Sequence, residues 1–309
     1  MSTNDSSEIL KSFLPEKSER PPSPAPLPGP HPAEDAELPH VVIEPKSQFR
    51  WINLREIWQY RELLYFLMWR DVKVRYKQTA VGVLWVILQP LLMMMIFSLF
   101  FGRLAGIGSD EGIPYALFAY AGLLPWTFFS TAVGLGANSL VNSSGLVTKI
   151  YFPRLIVPIA AVGAVLIDLA ISLIVLAGLM VYWRIGLQTG LIMLPALIGL
   201  ITILALGLGT LMSALNVKYR DIRIVLPFAL QIWFFLSPII YPLQMIPAKW
   251  RWAMALNPIT GIAEGFRSAL YRNTFDWQSL GISAAVALLL LACAIFVFRR
   301  MERQFADVI

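Results

Sequence analysis

The chain has 309 residues, of which 57% are hydrophobic, with a mean hydropathy of +0.66 and a net charge of +6. A soluble domain with a polar exterior does not have that composition, so the sequence reads as a membrane protein. The lone Cys293 excludes an intramolecular disulfide framework or cysteine metal cluster, and histidines only at His31 and His40 argue against histidine catalysis or histidine-held metal in the rest of the chain.

Residues 1–45 contain ten prolines, including "PPSPAPLPGPHP", and almost no apolar periodicity. Such a segment buries too little surface to offset its ordering entropy, so 1–47 is predicted to be a disordered cytoplasmic tail without a cleavable signal peptide. Residues 1–45 also hold eight acidic and three basic residues, leaving 22 basic against 11 acidic over 46–309. Most of those Lys and Arg flank apolar runs, where anionic lipid and the positive-inside bias account for them. No nucleic-acid-binding pattern is present.

Residues 48–78 are predicted to form an amphipathic helix in the membrane interface. In "WINLREIWQYRELLYFLMWRDVKVRYK", Trp58, Tyr65, Trp69, Val72 and Tyr76 approximate one face, interrupted by Arg61 and Glu62. A soluble helix capping the body is the alternative. Four cations near its end, Arg70, Lys73, Arg75 and Lys77, fit either a lipid head group or the positive-inside bias alone.

Residues 79–309 are predicted to be an all-α transmembrane domain. Six apolar runs approach the roughly 20 residues that a hydrocarbon core demands: 82–101, 115–135, 155–183, 191–215, 224–241 and 280–298. One side collects Arg70 to Lys77, Lys149 and Arg154, Lys218 to Arg223, and Arg299 to Arg303, which places both termini in the cytoplasm. The fifth run is short. Between the fifth and sixth, Pro242, Pro247 and Pro258 break an apolar stretch into pieces too short to cross, read as two short re-entrant outer helices that cover an exit. That outer gate would include Trp250, Trp252, Asn257, Pro258 and Glu264.

Asp168 lies near the middle of the third run. A carboxylate there is costly, and it reads either as a proton or substrate contact or, the favoured reading, as an interior polar partner bonded to a Ser or Thr of a neighbouring helix. In the cytoplasmic loop 138–158, Asn142, Ser143 and Ser144 would cap a short helix running through Lys149 and ending before Pro153. It is either a docking helix or a plain connector. The seam "NVKYRDI" is a second cytoplasmic loop, with Asp221 expected to pair with Arg220 and Arg223. Aromatic rings at Trp85, Tyr115, Tyr120, Trp126, Phe128 and Phe129 suit a headgroup belt or helix packing singly, and a carbohydrate slide if they face one path. No Gly-x-x-x-x-Gly-Lys-Ser/Thr phosphate loop occurs, so any energy from ATP comes from a partner.

"YAGLLPWTFFS", "KIYFPRLIVPI", "NVKYRDI" and "LSPIIYP" followed by "LNPIT" occur in this order, and together they resemble the permease subunit of ABC-2-type polysaccharide exporters. The resemblance runs from about Leu54 to the C terminus. It implies a homodimer of six-span subunits in a bacterial inner membrane, two copies of a separate ATPase that carries the ATP and Mg, and no cofactor in this chain. Its cargo would be a lipid-linked polysaccharide such as O-antigen, capsule or teichoic acid; the alternative is a drug or other small lipid-like substrate. It further implies that Asn142, Ser143, Ser144, Lys149, Tyr151 and Arg154 carry coupling to the ATPase, with Arg220 and Asp221 in register beside them, and that aromatic rings line the path.

Overall fold

In a hydrocarbon layer a chain must satisfy its own backbone N–H and C=O groups, which leaves helices as the simplest solution for long apolar runs. The computed structural model describes residues 54–77, 82–107, 113–302 and 305, and all regular structure among them is helical. The predicted tail, 1–47, and residues 48–53 and 78 of the predicted interface helix lie outside the described residues.

The helices are α1 (Leu54–Gln59), α2 (Arg61–Lys77), α3 (Val83–Phe97), α4 (Tyr115–Asn142), α5 (Ser144–Lys149), α6 (Ile156–Tyr182), α7 (Leu194–Lys218), α8 (Ile222–Phe235), α9 (Ala248–Leu256), α10 (Pro258–Arg267) and α11 (Trp277–Met301). Wider π turns extend α3 over Ser98–Leu104 and α10 over Ser268–Arg272, and a 3-10 turn, Thr189–Met193, leads into α7. Five helices, α3, α4, α6, α7 and α11, are long and apolar enough to cross a membrane. At 14 residues, α8 is apolar but short of the roughly 20 required. The fifth predicted run leaves the helix after Phe235 instead of continuing to Tyr241, so the described residues hold five full-length helices and one short one.

The hub is α4. In its apolar window 78% of residues are buried inside the protein, against 39% or less in the other four long helices, so it sits inside the bundle while they face outward. It packs on α6, α7 and α3, and α11 packs on the far side of α7. Small residues permit this: a Cβ at Gly136 would come within 3.2 Å of Gly209 Cα, so α4 and α7 touch backbone to backbone. Polar contacts lock the same seam. Ser139 Oγ lies 3.3 Å from Ser213 Oγ, and Asn216 Nδ2 donates to the Ala137 carbonyl at 2.9 Å.

One end of the bundle is sealed by a cluster of Leu67, Leu140, Val147, Phe152, Phe298 and Phe305, which ties α2, α5 and the start of α6 to the end of α11. Leu67 and Val72 of α2 are buried, whereas Trp58 of α1 and Tyr65 and Trp69 of α2 are exposed. The single face expected over Trp58, Tyr65, Trp69, Val72 and Tyr76 is therefore split, because α2 turns its aliphatic side to the body and three of the rings stay outside. A Cβ on Gly163 would fall 2.7 Å from Met68 Cε, and Arg75 reaches Asp168, so α2 runs in the same direction as α6 and climbs beside it.

Candidate functional site

Between α3, α4 and α8 lies a groove of about 490 Å³. Trp126, Phe234 and Phe235 supply its aromatic surface, and Gln89, Thr127, Ser130, Thr131 and Gln231 its polar groups. Trp126 and Phe234 rings stand 5.5 Å apart, and Phe129 packs behind Trp126 at 5.8 Å and edge-on to Trp233 at 5.3 Å. The groove is thus a ring-and-amide surface backed by a second aromatic layer, able to stack on a flat apolar face and to bond hydroxyls along its edges. Its two flanking helices are also the ones left apolar and uncovered, with Met95, Ile96 and Phe100 exposed in or just beyond α3 and Ile224, Phe228 and Ile232 exposed on α8.

Beyond Phe235 the α8 helix breaks, and three consecutive carbonyls lose their helical partners. Arg267 of α10 captures two, donating to Pro238 O at 2.9 Å and to Ile239 O at 2.6 Å, and the Tyr115 hydroxyl donates to Ile240 O. Irregular backbone is tolerated deep in a bundle only when it is satisfied in this way. Arg267 is fully buried, so its charge needs an answer. Glu264 provides it at 2.6 Å while its other oxygen takes Arg272 at 2.5 Å, and the guanidinium sits 3.7 Å from the Phe118 ring centroid. Gly122 makes room: a Cβ there would strike Ile239 O at 2.5 Å and Arg267 Nη2 at 2.6 Å. Asn257 adds a second pin, accepting from Trp233 Nε1 at 3.0 Å and from the Ile259 N–H at 3.1 Å, and donating to Ser237 Oγ at 2.8 Å. Next to this cluster Asp276 caps α11. The bond from Ser279 Oγ is the largest influence on its carboxyl and outweighs the opposing effect of burial; with the smaller help of the Ser279 and Gln278 N–H groups it holds the carboxyl below the usual carboxylate range.

Midway along α6, Asp168 pairs with Arg75 and accepts from the Tyr76 hydroxyl, both on α2. Asp168 is an interior polar partner, but its partners are a guanidinium and a phenol, where a Ser or Thr hydroxyl of a neighbouring helix was expected. Ser172 is on the same helix and bonds the Asp168 backbone carbonyl instead. Arg70 is similarly occupied, bonding Asp71 at 2.8 Å and Ser143 Oγ at 3.5 Å. Of the four cations read as a head-group site, Lys73 and Lys77 are the exposed ones, Lys73 lying 5.4 Å from the Trp69 ring centroid.

The predicted short helix after the second span is present as α5, with Ser143 at its N-cap position but without the expected side-chain capping bond, and it leads into an exposed loop where Tyr151 is 87% accessible. Arg154 closes that loop onto the end of α11, donating to the Glu302 carbonyl and lying 6.0 Å from the Phe305 ring. Asp221 makes no ion pair with Arg220 or Arg223 among the described residues. It stands at the N-cap position of α8, where its charge faces the positive end of the helix dipole.

Of the rings expected along a path, Trp126 lines the groove and Phe129 supports it from behind, whereas Phe128 is buried and Tyr120 turns its hydroxyl to the Ser172 carbonyl. Tyr115 serves the broken end of α8, and Trp85 is exposed near the start of α3. Trp250 and Trp252 are exposed on α9, while Asn257, Pro258 and Glu264 belong to the cluster around Arg267. Among the residues that escaped the sequence reading are Gln89, Gln231 and Arg267. Gln89 and Gln231 are costly polar groups within strongly apolar stretches, "VILQPLL" and "FALQIWFF", and that cost was the available signal; Arg267 follows Glu264 by one turn in "AEGFRSAL", a spacing that allows an ion pair.

A surface that runs along the flank of apolar helices is suited to passage, and the class it defines is a multi-pass membrane permease. Comparison with known proteins makes this specific: residues 62–271 match the ABC-2 type transporter family, and the chain belongs to that family. It is 31% identical over 258 residues to the O-antigen export system permease protein RfbA of Myxococcus xanthus, covering 82% of this chain and 98% of that one. It is 26% identical to the protein of the same name from Klebsiella pneumoniae, over 80% of this chain and 95% of the relative. Similarity extends to the polysialic acid transport protein KpsM of Escherichia coli, at 24% identity over 76% and 92% of the two chains.

Proposed function

We propose that this chain is the permease subunit of an ATP-driven exporter that carries a lipid-linked polysaccharide of the O-antigen kind out of the cytoplasm. The observation that carries the reading is the ring-and-amide groove between α3, α4 and α8, in a chain that matches nearly the whole length of an O-antigen export permease. A polysaccharide offers alternating apolar faces and hydroxyl edges, which such a lining suits. The groove opens beside the uncovered apolar faces of α3 and α8, so a second copy placed there would both cover those faces and complete a path from two half-grooves.

The chain does no covalent chemistry in this reading. The α5 end lies in the cytoplasm with both termini, as the Lys and Arg near it support, and α8 acts as the sixth span together with the segment that follows it. ATP binding in two separate ATPase subunits draws them together. That motion enters through α5 and the loop at Tyr151 and Arg154, and passes to α11 through the Arg154 contact with Glu302 and Phe305. Lys73 and Lys77 attract the phosphate of the lipid carrier.

Vesicles holding the chain and its ATPase should transport fluorescent lipid-linked glycan on addition of ATP. Movement of a small lipid or drug without any movement of glycan would replace the proposal with a small-molecule exporter. Hydrolysis of ATP by the purified chain alone would refute the division of labour.

A further inference from the structure

A second cavity, of about 420 Å³, lies at the α10 end of the protein, between α9, α10, the turn after α10 and the first turn of α11. It shares no lining residue with the groove. Its carboxylates are already used: Glu264 binds two arginines, and Asp276 accepts from Ser279 Oγ and two backbone N–H groups. Its donors are not. Arg251 holds the carbonyls of Ile246 and Gln244 through Nε and Nη2 and forms no ion pair among the described residues.

Thr260 points the same way more sharply. It is 1% exposed, lines the cavity, and its hydroxyl has no hydrogen-bond partner among the described residues. A buried hydroxyl left unsatisfied is destabilising, and its place on a cavity wall is explained by a ligand that completes it. Across the cavity Phe275 presents a half-buried ring, 5.6 Å from that of Trp277. A wall of hydroxyls, a guanidinium with capacity left and one aromatic platform matches a sugar ring, with hydroxyls at its edge and C–H bonds on its face. The volume falls in the ordinary range for small-ligand sites. A lone phosphate would instead require converging cations, and Arg267 and Arg272 are both tied to Glu264.

We propose that this cavity is a subsite for one pyranose unit of the exported glycan, held by Arg251, Thr260 and Phe275. The proposal rests on the exporter reading for the identity of the glycan and for the α10 end being the exit. Two copies of the chain would place one such subsite on each side of the exit, where each retains an emerging sugar between strokes and opposes its slipping back. The surplus guanidinium makes a pyranose that bears a carboxylate the tighter ligand.

Saturation-transfer NMR on the full chain in lipid nanodiscs tests this with methyl glucoside, methyl glucuronide and glycerol phosphate as probes. Both glycosides should bind, the glucuronide more tightly, and Arg251→Ala and Thr260→Val should each weaken them about fivefold, the effect of one lost hydrogen bond. The Thr260 hydroxyl is unpartnered and the two bonds of Arg251 are exposed, so Thr260→Val should melt no lower than the wild-type protein and Arg251→Ala only slightly below it. Affinities unchanged in both variants, or binding of glycerol phosphate with no binding of glycosides, would overturn the subsite. Glycan flux in vesicles separates the two readings: flux without glycoside binding refutes the subsite alone, and glycoside binding without flux refutes the exporter alone.

Discussion

Arg75 of α2 donates to Asp168 of α6 at a point about 18 Å into a membrane-crossing helix, at 1.5 Å per residue. In so apolar a helix an ion pair is strongly felt and an unpaired charge is costly. Arg75→Gln and Asp168→Asn should each lower the melting temperature of the purified protein. The double variant should lose less than the sum, with a coupling of roughly 1–3 kcal/mol. Strict additivity would mean that the pair contributes nothing to holding α2 on α6.

Arg267→Met should be the most damaging single change at the α10 end. It strands the Pro238 and Ile239 carbonyls and leaves Glu264 without one of its two cations, a loss of about 3–5 kcal/mol. Arg267→Lys should rescue little, because an ammonium cannot present the two-pronged fork that reaches adjacent carbonyls. Thermal melts of the two variants check both statements.

The two aromatic layers of the groove should separate in their effects. Phe129 is fully buried behind Trp126, so Phe129→Ala should cost about 3–5 kcal/mol of stability. Gln231 is exposed on the groove wall, so Gln231→Leu should leave the melting temperature unchanged while slowing glycan flux. Equal flux in Gln231→Leu and wild type would remove the amide from the path.

Asp276 gives a pH signature. Its folded pKa lies below the ordinary value of 3.8, so its cap stabilises α11 above that pH, and the contribution is lost as pH falls through the lower folded value. Asp276→Ala should cost about 0.5–2 kcal/mol at neutral pH. The difference from wild type should shrink on acidification, and Asp276→Asn, a neutral cap, should remove the pH dependence.

Tyr151 is almost wholly accessible, so Tyr151→Ala should leave the melting temperature unaltered and lower the ATPase rate stimulated by the glycan. An unaltered stimulated rate would exclude this side chain from coupling.

The bundle itself was legible because its signal is redundant: an apolar run of some 20 residues survives an error of several residues at either end. Partnerships were not. Asp168 was visible as an anomaly, yet its partner lies 93 residues away on a helix whose cations look like ordinary membrane-flanking charges. Phe129 and Trp126 stand three residues apart in one aromatic run, and only the packing of α4 against α8 decides which ring meets the groove. Arg267 was the deepest omission. The positive-inside count treats every arginine as surface charge, and a fully buried one breaks that assumption.

Asn257 and Arg267 grip the end of α8 from opposite ends of α10, so the stretch from Tyr241 to Leu256, a loop followed by α9, is an excursion whose two anchors are fixed independently of its length. Doubling such a loop costs only about 0.6 kcal/mol in closure entropy. This excursion is therefore the place where a fluorescent domain or an epitope can be spliced in with the bundle undisturbed, and where evolution is free to add sequence without redesigning the fold.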